Sequence, residues 1–242
     1  MPSTVVHVAL AAVVAAALLG SAYSWRTLLV VVGATAFVDL DVLVGFVLIG
    51  AHRAAFHTVL FPAVLLGLVY LDLHWGTSSR LVDRFGPTAI RTALVTVVAV
   101  VFAGIGPDLM TNGVNVFWPL HDQFYAFTGK FHLSDQHGVV QTFVDLERSQ
   151  PAESVARGST KEVQYYTGVD TNPDRSGAPV TKERIFPLVD SGVQLLLVVT
   201  GAFISGSRLW EVHRSEVGTD IGTDHSAGSE LAHDRNGEED TA

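Results

Sequence analysis

The sequence predicts an all-α integral membrane protein, a bundle of about five transmembrane helices with a long extramembrane loop and a disordered acidic C-terminal tail. Three observations lead there. Hydrophobic residues make up 48% of the 242-residue chain, and its mean hydropathy is +0.36. These residues lie in continuous runs instead of the periodic pattern of a soluble domain. Charge is concentrated between and after the runs, most densely after Arg214, where Glu216, Asp220, Asp224, Glu230, Asp234, Glu238, Glu239 and Asp240 face only Arg235.

The first run, residues 3–19, is small and apolar apart from His7. It lacks the basic start of a secretory signal, so we read it as a retained helix, although Gly20-Ser21-Ala22 resembles a cleavage site. The second, residues 27–50, is long enough to span and contains Asp39 and Asp41; the third, residues 54–71, follows His52 and Arg53. A polar loop, residues 74–87, precedes the fourth run, residues 89–105, and the last run covers residues 188–206. Between the fourth and fifth runs the turn-rich GIGPDLMTNG leads into the aromatic NVFWPLHDQFYAF and then a polar stretch, whose Gly, Pro, Asp and Ser mark loops. These features divide the chain into a bundle with a metal site (1–120), an extramembrane loop region (121–187), a final transmembrane helix (188–210) and a tail (211–242) without apolar period.

With 15 basic and 24 acidic residues the formal net charge is −9, and lysine is confined to Lys130, Lys161 and Lys182. That balance fits a salt-loving microbe such as a halophilic archaeon. It argues against nucleic acid as a partner, because no basic stripe is available to neutralise phosphates, and leaves the lipid bilayer as the expected one. The chain has no cysteine, which removes disulfides and thiolate metal sites and leaves His, Asp and Glu as the only side chains for a metal. Arginines 26, 80, 84, 91, 208 and 214 fall on one side if every run spans, placing the N-terminus and the long loop outside the cytoplasm and the tail inside.

Ionisable groups in apolar runs are costly, by a few kcal/mol each at the bilayer centre, and usually mark function. Five alternating crossings bring His7, Asp39, Asp41, His52, His57 and Asp108 to one membrane face, whichever face that is. Imidazole and carboxylate are zinc ligands, and carboxylates also suit manganese or magnesium. On an ideal helix Asp39 and Asp41 point about 200° apart, so both serve one centre only if the helix breaks there. His52 and His57 share no helical stripe, so a helix starting between them, or separate metals, is required; Arg53 and His57 share a face. Each residue also has a plain reading, as an interfacial histidine, a loop aspartate or a turn residue after Gly106-Pro107, and Phe117-Trp118 suits an aromatic belt.

In order and spacing, His7, Val38-Asp39-Leu40-Asp41, His52-Arg53-Ala54-Ala55-Phe56-His57-Thr58 and Asp108-Leu109-Met110-Thr111-Asn112-Gly113-Val114 with Phe117-Trp118-Pro119 resemble the YdjM-type family of membrane-bound proteins described as metal-dependent hydrolases. The resemblance covers roughly residues 1–120. The family's proline before the Asp pair is Val38 here, and the histidine expected four residues before Asp108 is Gly104, so a loop histidine (His121, His132 or His137) is a possible substitute. The resemblance implies phosphoester chemistry. His7, Asp39, Asp41, His57 and Asp108, with His52, are then expected to hold one or more divalent ions, most simply zinc. Arg53 is expected to clamp a phosphate oxygen, and Asp41, if uncoordinated, to act as general base. The rival expectations are a transporter, with its polar residues spread through the membrane depth, and a non-catalytic scaffold, for which Gly104 speaks.

Overall fold

A computed structural model describes residues 2–76, 78–143, 156–163, 165, 169 and 185–237, the last helix by its backbone alone beyond residue 215. The chain is mostly helical. In order come α1 (Thr4–Leu18), α2 (Trp25–Val38), the single turn α3 (Asp41–Val44), α4 (Leu60–His74), α5 (Arg80–Phe85), α6 (Ala89–Ala99), a π-helical turn (Val100–Ile105), α7 (Gly106–Thr111) and α8 (Gly192–Gly237). Three stretches are long and apolar enough to cross a membrane, Trp25–Val44, Ala89–Thr111 and Gly192–Ser215; α1 and α4 are shorter apolar helices. All five apolar runs read from the sequence are thus helical, with shifted ends.

The packing is that of a protein in lipid. Large apolar side chains point outward on every long helix, Phe203 being 74% exposed and Val64 59%. The interior is built from small residues instead: Ala11, Ala15, Ala22, Ala99 and Ala103 pack around Leu19, Tyr23, Val31 and Val95. Lipid tails are as apolar as leucine, so helices in a bilayer associate through close backbone approach, which small residues permit. Gly201 of α8 shows how close. A Cβ added there would lie 2.6 Å from the carbonyl oxygen of Ala9 on α1. Gly201→Val is therefore expected to push α8 off α1, lowering stability by about 1–3 kcal/mol, read as an earlier thermal transition in detergent; an unchanged transition would show that the two helices do not meet.

Helix ends follow local chemistry. Ser24 and Thr27 form a reciprocal capping box at the start of α2. The C-terminal end of α1 is closed by Arg91, whose Nε donates to the Leu18 carbonyl at 2.9 Å. Pro107 carries no N–H, so the carbonyls one turn earlier lose their regular donor; the helix widens into the π turn and restarts as α7 with Pro107 in its first turn. That break leaves the Ala103 carbonyl free to bond outside its own helix.

Two features depart from an all-α reading. The segment after α7 forms short antiparallel pairs: β1 (Phe124–Tyr125) with β4 (Ala156–Gly158), and β2 (Phe131–Ser134) with β3 (Gly138–Gln141). The second is a hairpin whose turn ends at Gly138, with φ +67°, followed by the β-branched Val139 and Val140, a strand signal inside the stretch expected to be loop. The backbone of α8 also continues to Gly237 through the acidic segment expected to be disordered; no proline interrupts it after Pro187. Residues 238–242 and most of 144–184 lie outside the described residues.

Candidate metal centre

The break between α2 and α3 sets the geometry. α2 ends at Val38, Asp39 and Leu40 form a turn, and Asp41 opens α3. The two aspartates, which an unbroken helix would turn away from each other, instead take opposite sides of His57. Asp41 Oδ2 lies 2.7 Å from His57 Nδ1, while Asp39 Oδ1 lies 3.5 Å from His57 Nε2. Neither His52 nor His57 is in a helix, because α4 begins only at Leu60. This corrects the expectation of a helix starting between them with Arg53 and His57 on its face. Arg53 adopts φ +64°, a left-handed conformation that is uncommon outside glycine. Its N–H donates to Asp41 Oδ2 at 2.9 Å and its carbonyl accepts from the Asn115 N–H at 2.9 Å, which fixes the turn from both sides.

Four side chains converge. Ligand atoms of His7, Asp39 and Asp108 lie within 4.8 Å of one another, a group that could hold a metal ion. His7 Nε2 is 4.0 Å from Asp39 Oδ1 and 3.7 Å from Asp108 Oδ2. His57 Nε2 joins them at 3.2 Å from Asp108 Oδ2. A tetrahedral zinc site with bonds near 2.0 Å sets its ligands about 3.3 Å apart; the His57 pairs at 3.2 and 3.5 Å lie close to that and the His7 pairs at 3.7 and 4.0 Å are wider. His57 Nε2 and Asp39 Oδ2 are buried and make no hydrogen bond among the described residues.

Both histidines are turned the way a metal requires. The Nδ1–H of His7 donates to the Ala103 carbonyl at 2.6 Å, the carbonyl released by Pro107. The Nδ1–H of His57 donates to Asp41 at 2.7 Å. With Nδ1 committed as donor, each ring turns its Nε2 toward the carboxylates of Asp39 and Asp108, where a neutral ring would offer a lone pair. An imidazole nitrogen and carboxylate oxygens facing one another at this range share a positive charge, either a proton on the ring or a metal ion between them. Metal-bound histidines characteristically carry such a partner on their other nitrogen. The donor set therefore fits a divalent ion.

Asp41 and His52 stand behind this cluster. Asp41 is fully buried, and its oxygens are taken by His52 Nδ1 (2.7 Å), His57 Nδ1 and the Arg53 N–H. Arg53, 1% exposed, pairs its Nη2 with Asp108 Oδ1 at 2.8 Å, and its Nε and Nη1 have no hydrogen-bond partner among the described residues. Its guanidinium stacks 4.6 Å from the Tyr165 ring. His121, His132 and His137 are exposed and stand apart from this group. Gly104, where the family histidine was expected, faces the end of α2: a Cβ there would make ordinary contact with Thr35 Cγ2 at 3.5 Å and Val38 Cγ2 at 3.6 Å.

The segment after α7, whose place the sequence left open, closes over this centre. Tyr165 donates from its hydroxyl to the Asn112 carbonyl at 2.6 Å, and burial pushes its phenol up against the opposing pull of Arg53. Asp122 accepts from Asn115 Nδ2 at 2.7 Å and from the Thr160 hydroxyl at 2.7 Å. Burial opposes its ionisation, but these bonds and the Thr160 N–H outweigh it and hold the carboxyl below the usual range. Asn115 thereby links this strap to the Arg53 turn.

No curated protein and no solved structure matches the chain. A family model does, over residues 1–165, a range that takes in every residue of the cluster as well as the strap, and the chain accordingly belongs to the YdjM inner membrane protein family.

Proposed function

We propose that this protein is a membrane-bound, zinc-dependent hydrolase acting on a phosphoester of a lipid or lipid-linked substrate at the membrane interface. The observation that carries the reading is the pair of imidazole Nε2 atoms aimed at two carboxylates while both Nδ1 atoms are committed elsewhere. His7, Asp39, His57 and Asp108 would hold the ion; when bound, zinc supplies Lewis acidity and a water activated near neutral pH.

The roles of the other residues follow from what they touch. Asp41 orients His57 and His52 backs Asp41, in place of the direct ligation and general-base work that the sequence suggested for them. Asp39 is the one member of the four with appreciable accessibility, its side chain 16% exposed against 0–2% for the others, so substrate approaches over Asp39. Its Oδ2, buried and without a hydrogen-bond partner among the described residues, would accept a proton from a water held at the ion. Arg53, already anchored on Asp108, has Nε and Nη1 without a hydrogen-bond partner among the described residues, and these would bind a phosphate oxygen.

Five crossings support the interfacial site. α1 and α4 are each 15 residues, about 22 Å against a hydrocarbon core of about 30 Å, and their flanking turns extend both. α8 starts beside the N-terminus, where Ser3 Oγ donates to the Leu188 carbonyl, and runs alongside α1, as an odd number of crossings requires. We assign the N-terminus and the segment after α7 to the extracytoplasmic side.

The test is turnover. Zinc-loaded protein in mixed micelles is expected to release headgroup phosphate from a phospholipid panel, to stop on chelation, and to lose activity in Asp39→Ala. Release that is unaffected by chelation would rule out the mechanism.

A further inference from the structure

At the opposite end of the bundle from the metal centre, α2 and α4 both pack on α6, and α5 closes the space between them. The result is an apolar groove of about 550 Å³, with Val30, Leu68 and Val97 among its walls and Arg80, Arg84 and Asp72 at its α5 end. That volume lies within the range of about 300–1,000 Å³ typical of small-molecule sites. The helices around it expose Leu66, Leu68 and Leu94 outward, so its surroundings are hydrocarbon and not water.

We propose that this groove holds an acyl chain of an anionic phospholipid, with the lipid phosphate bridging Arg80 and Arg84. Three observations converge on that occupant. The two arginines are four residues apart on one short helix, both exposed, and neither closes a salt bridge among the described residues. Like charges at that spacing repel unless an anion is shared between them. The one carboxylate at the groove, Asp72, is already committed: it accepts from the Ser79 hydroxyl and from the N–H groups of Arg80 and Leu81, which pins α5 to the end of α4. Finally, Trp75 and Phe85 flank this end at 82% and 68% exposure, marking the depth at which lipid phosphates lie. An apolar slot opening at headgroup depth beneath two exposed guanidinium groups, one of them over the Phe85 ring at 5.5 Å, matches a molecule with a long hydrocarbon body and a single negative charge at its head. This site is independent of the metal centre, and its outcome leaves the hydrolase reading untouched.

The experiment is native mass spectrometry of the full chain released from mixed micelles holding equal phosphatidylglycerol and phosphatidylcholine. Retention of phosphatidylglycerol over phosphatidylcholine by roughly tenfold is expected, the worth of one hydrogen bond to a charged group. The double variant R80Q/R84Q is expected to keep a bound lipid but lose the preference. Val30→Trp, at a half-exposed wall position that tolerates bulk, is expected to lose the retained lipid of either kind while keeping the wild-type thermal transition. Equal retention of both lipids by the unmodified protein, an unchanged preference in R80Q/R84Q, or full retention in Val30→Trp would each overturn the proposal.

Discussion

Changing His57 to alanine is expected to reduce bound metal to background, while changing His52 to alanine leaves it largely in place. Both histidines contact Asp41, and in the sequence they look equivalent. Their difference is one of depth. His57 has a second nitrogen 3.2 Å from Asp108 and 3.5 Å from Asp39, whereas His52 reaches the centre only through Asp41. Asp41→Asn should fall between them. Three donors converge on its two oxygens, and an amide would oppose one of those donors with its own N–H. Loss of an orienting partner of this kind lowers metal affinity by about 10–100-fold. Metal titration of the three variants in detergent reads the whole series. Equal losses in His52→Ala and His57→Ala would show that the two rings do the same job, contrary to the geometry.

The second large effect is expected at Arg53. Its guanidinium is buried, anchored on Asp108 and stacked on Tyr165. In Arg53→Ala the metal-free protein keeps Asp108, Asp39 and Asp41 with one positive charge fewer. Breaking a buried pair in this way costs on the order of 3–5 kcal/mol. Adding zinc should recover part of the loss, because an ion bound only by the folded state stabilises it and also supplies the missing positive charge. Thermal unfolding with and without zinc gives the answer: a transition lowered far more without metal than with it supports the account. Equal lowering in both would mean that Arg53 acts through packing and not through charge.

Much of this was legible in the sequence. Apolar runs located the long helices, and ionisable residues placed against those runs marked where the buried His and Asp cluster lies. Counting crossings put His7, Asp39, Asp41, His52, His57 and Asp108 at one face; the structure brings ligand atoms of His7, Asp39 and Asp108 within 4.8 Å of one another, with His57 beside them and Asp41 and His52 behind. What the sequence could not give was the division of labour among its polar residues, because that depends on a helix ending at Val38 and on a left-handed turn at Arg53. A spacing of two residues between Asp39 and Asp41 says that they differ in direction, not which one faces the centre. Pro107 carried a readable signal: a proline one turn after Ala103 predicts an orphaned carbonyl, and His7 takes it. The strap was hidden for another reason. Tyr165 and Thr160 are far along the chain from Arg53 and Asp122, and no local pattern announces such pairings.

Ionisable residues distributed through the bilayer, as a transporter would need, are not what the described helices show: the buried ionisable groups cluster around His57, and the buried polar residues farther along α2, α6 and α8 are the uncharged Thr35, Thr92, Thr96 and Ser205.

X-ray absorption spectroscopy of the zinc-loaded protein, joined to elemental analysis, tests the central assignment most directly. A single ion per chain, surrounded by two imidazole nitrogens and two carboxylate oxygens near 2.0 Å with any further ligand from water, is the result expected. Zinc that elutes freely, or a shell showing no imidazole scattering, would contradict it.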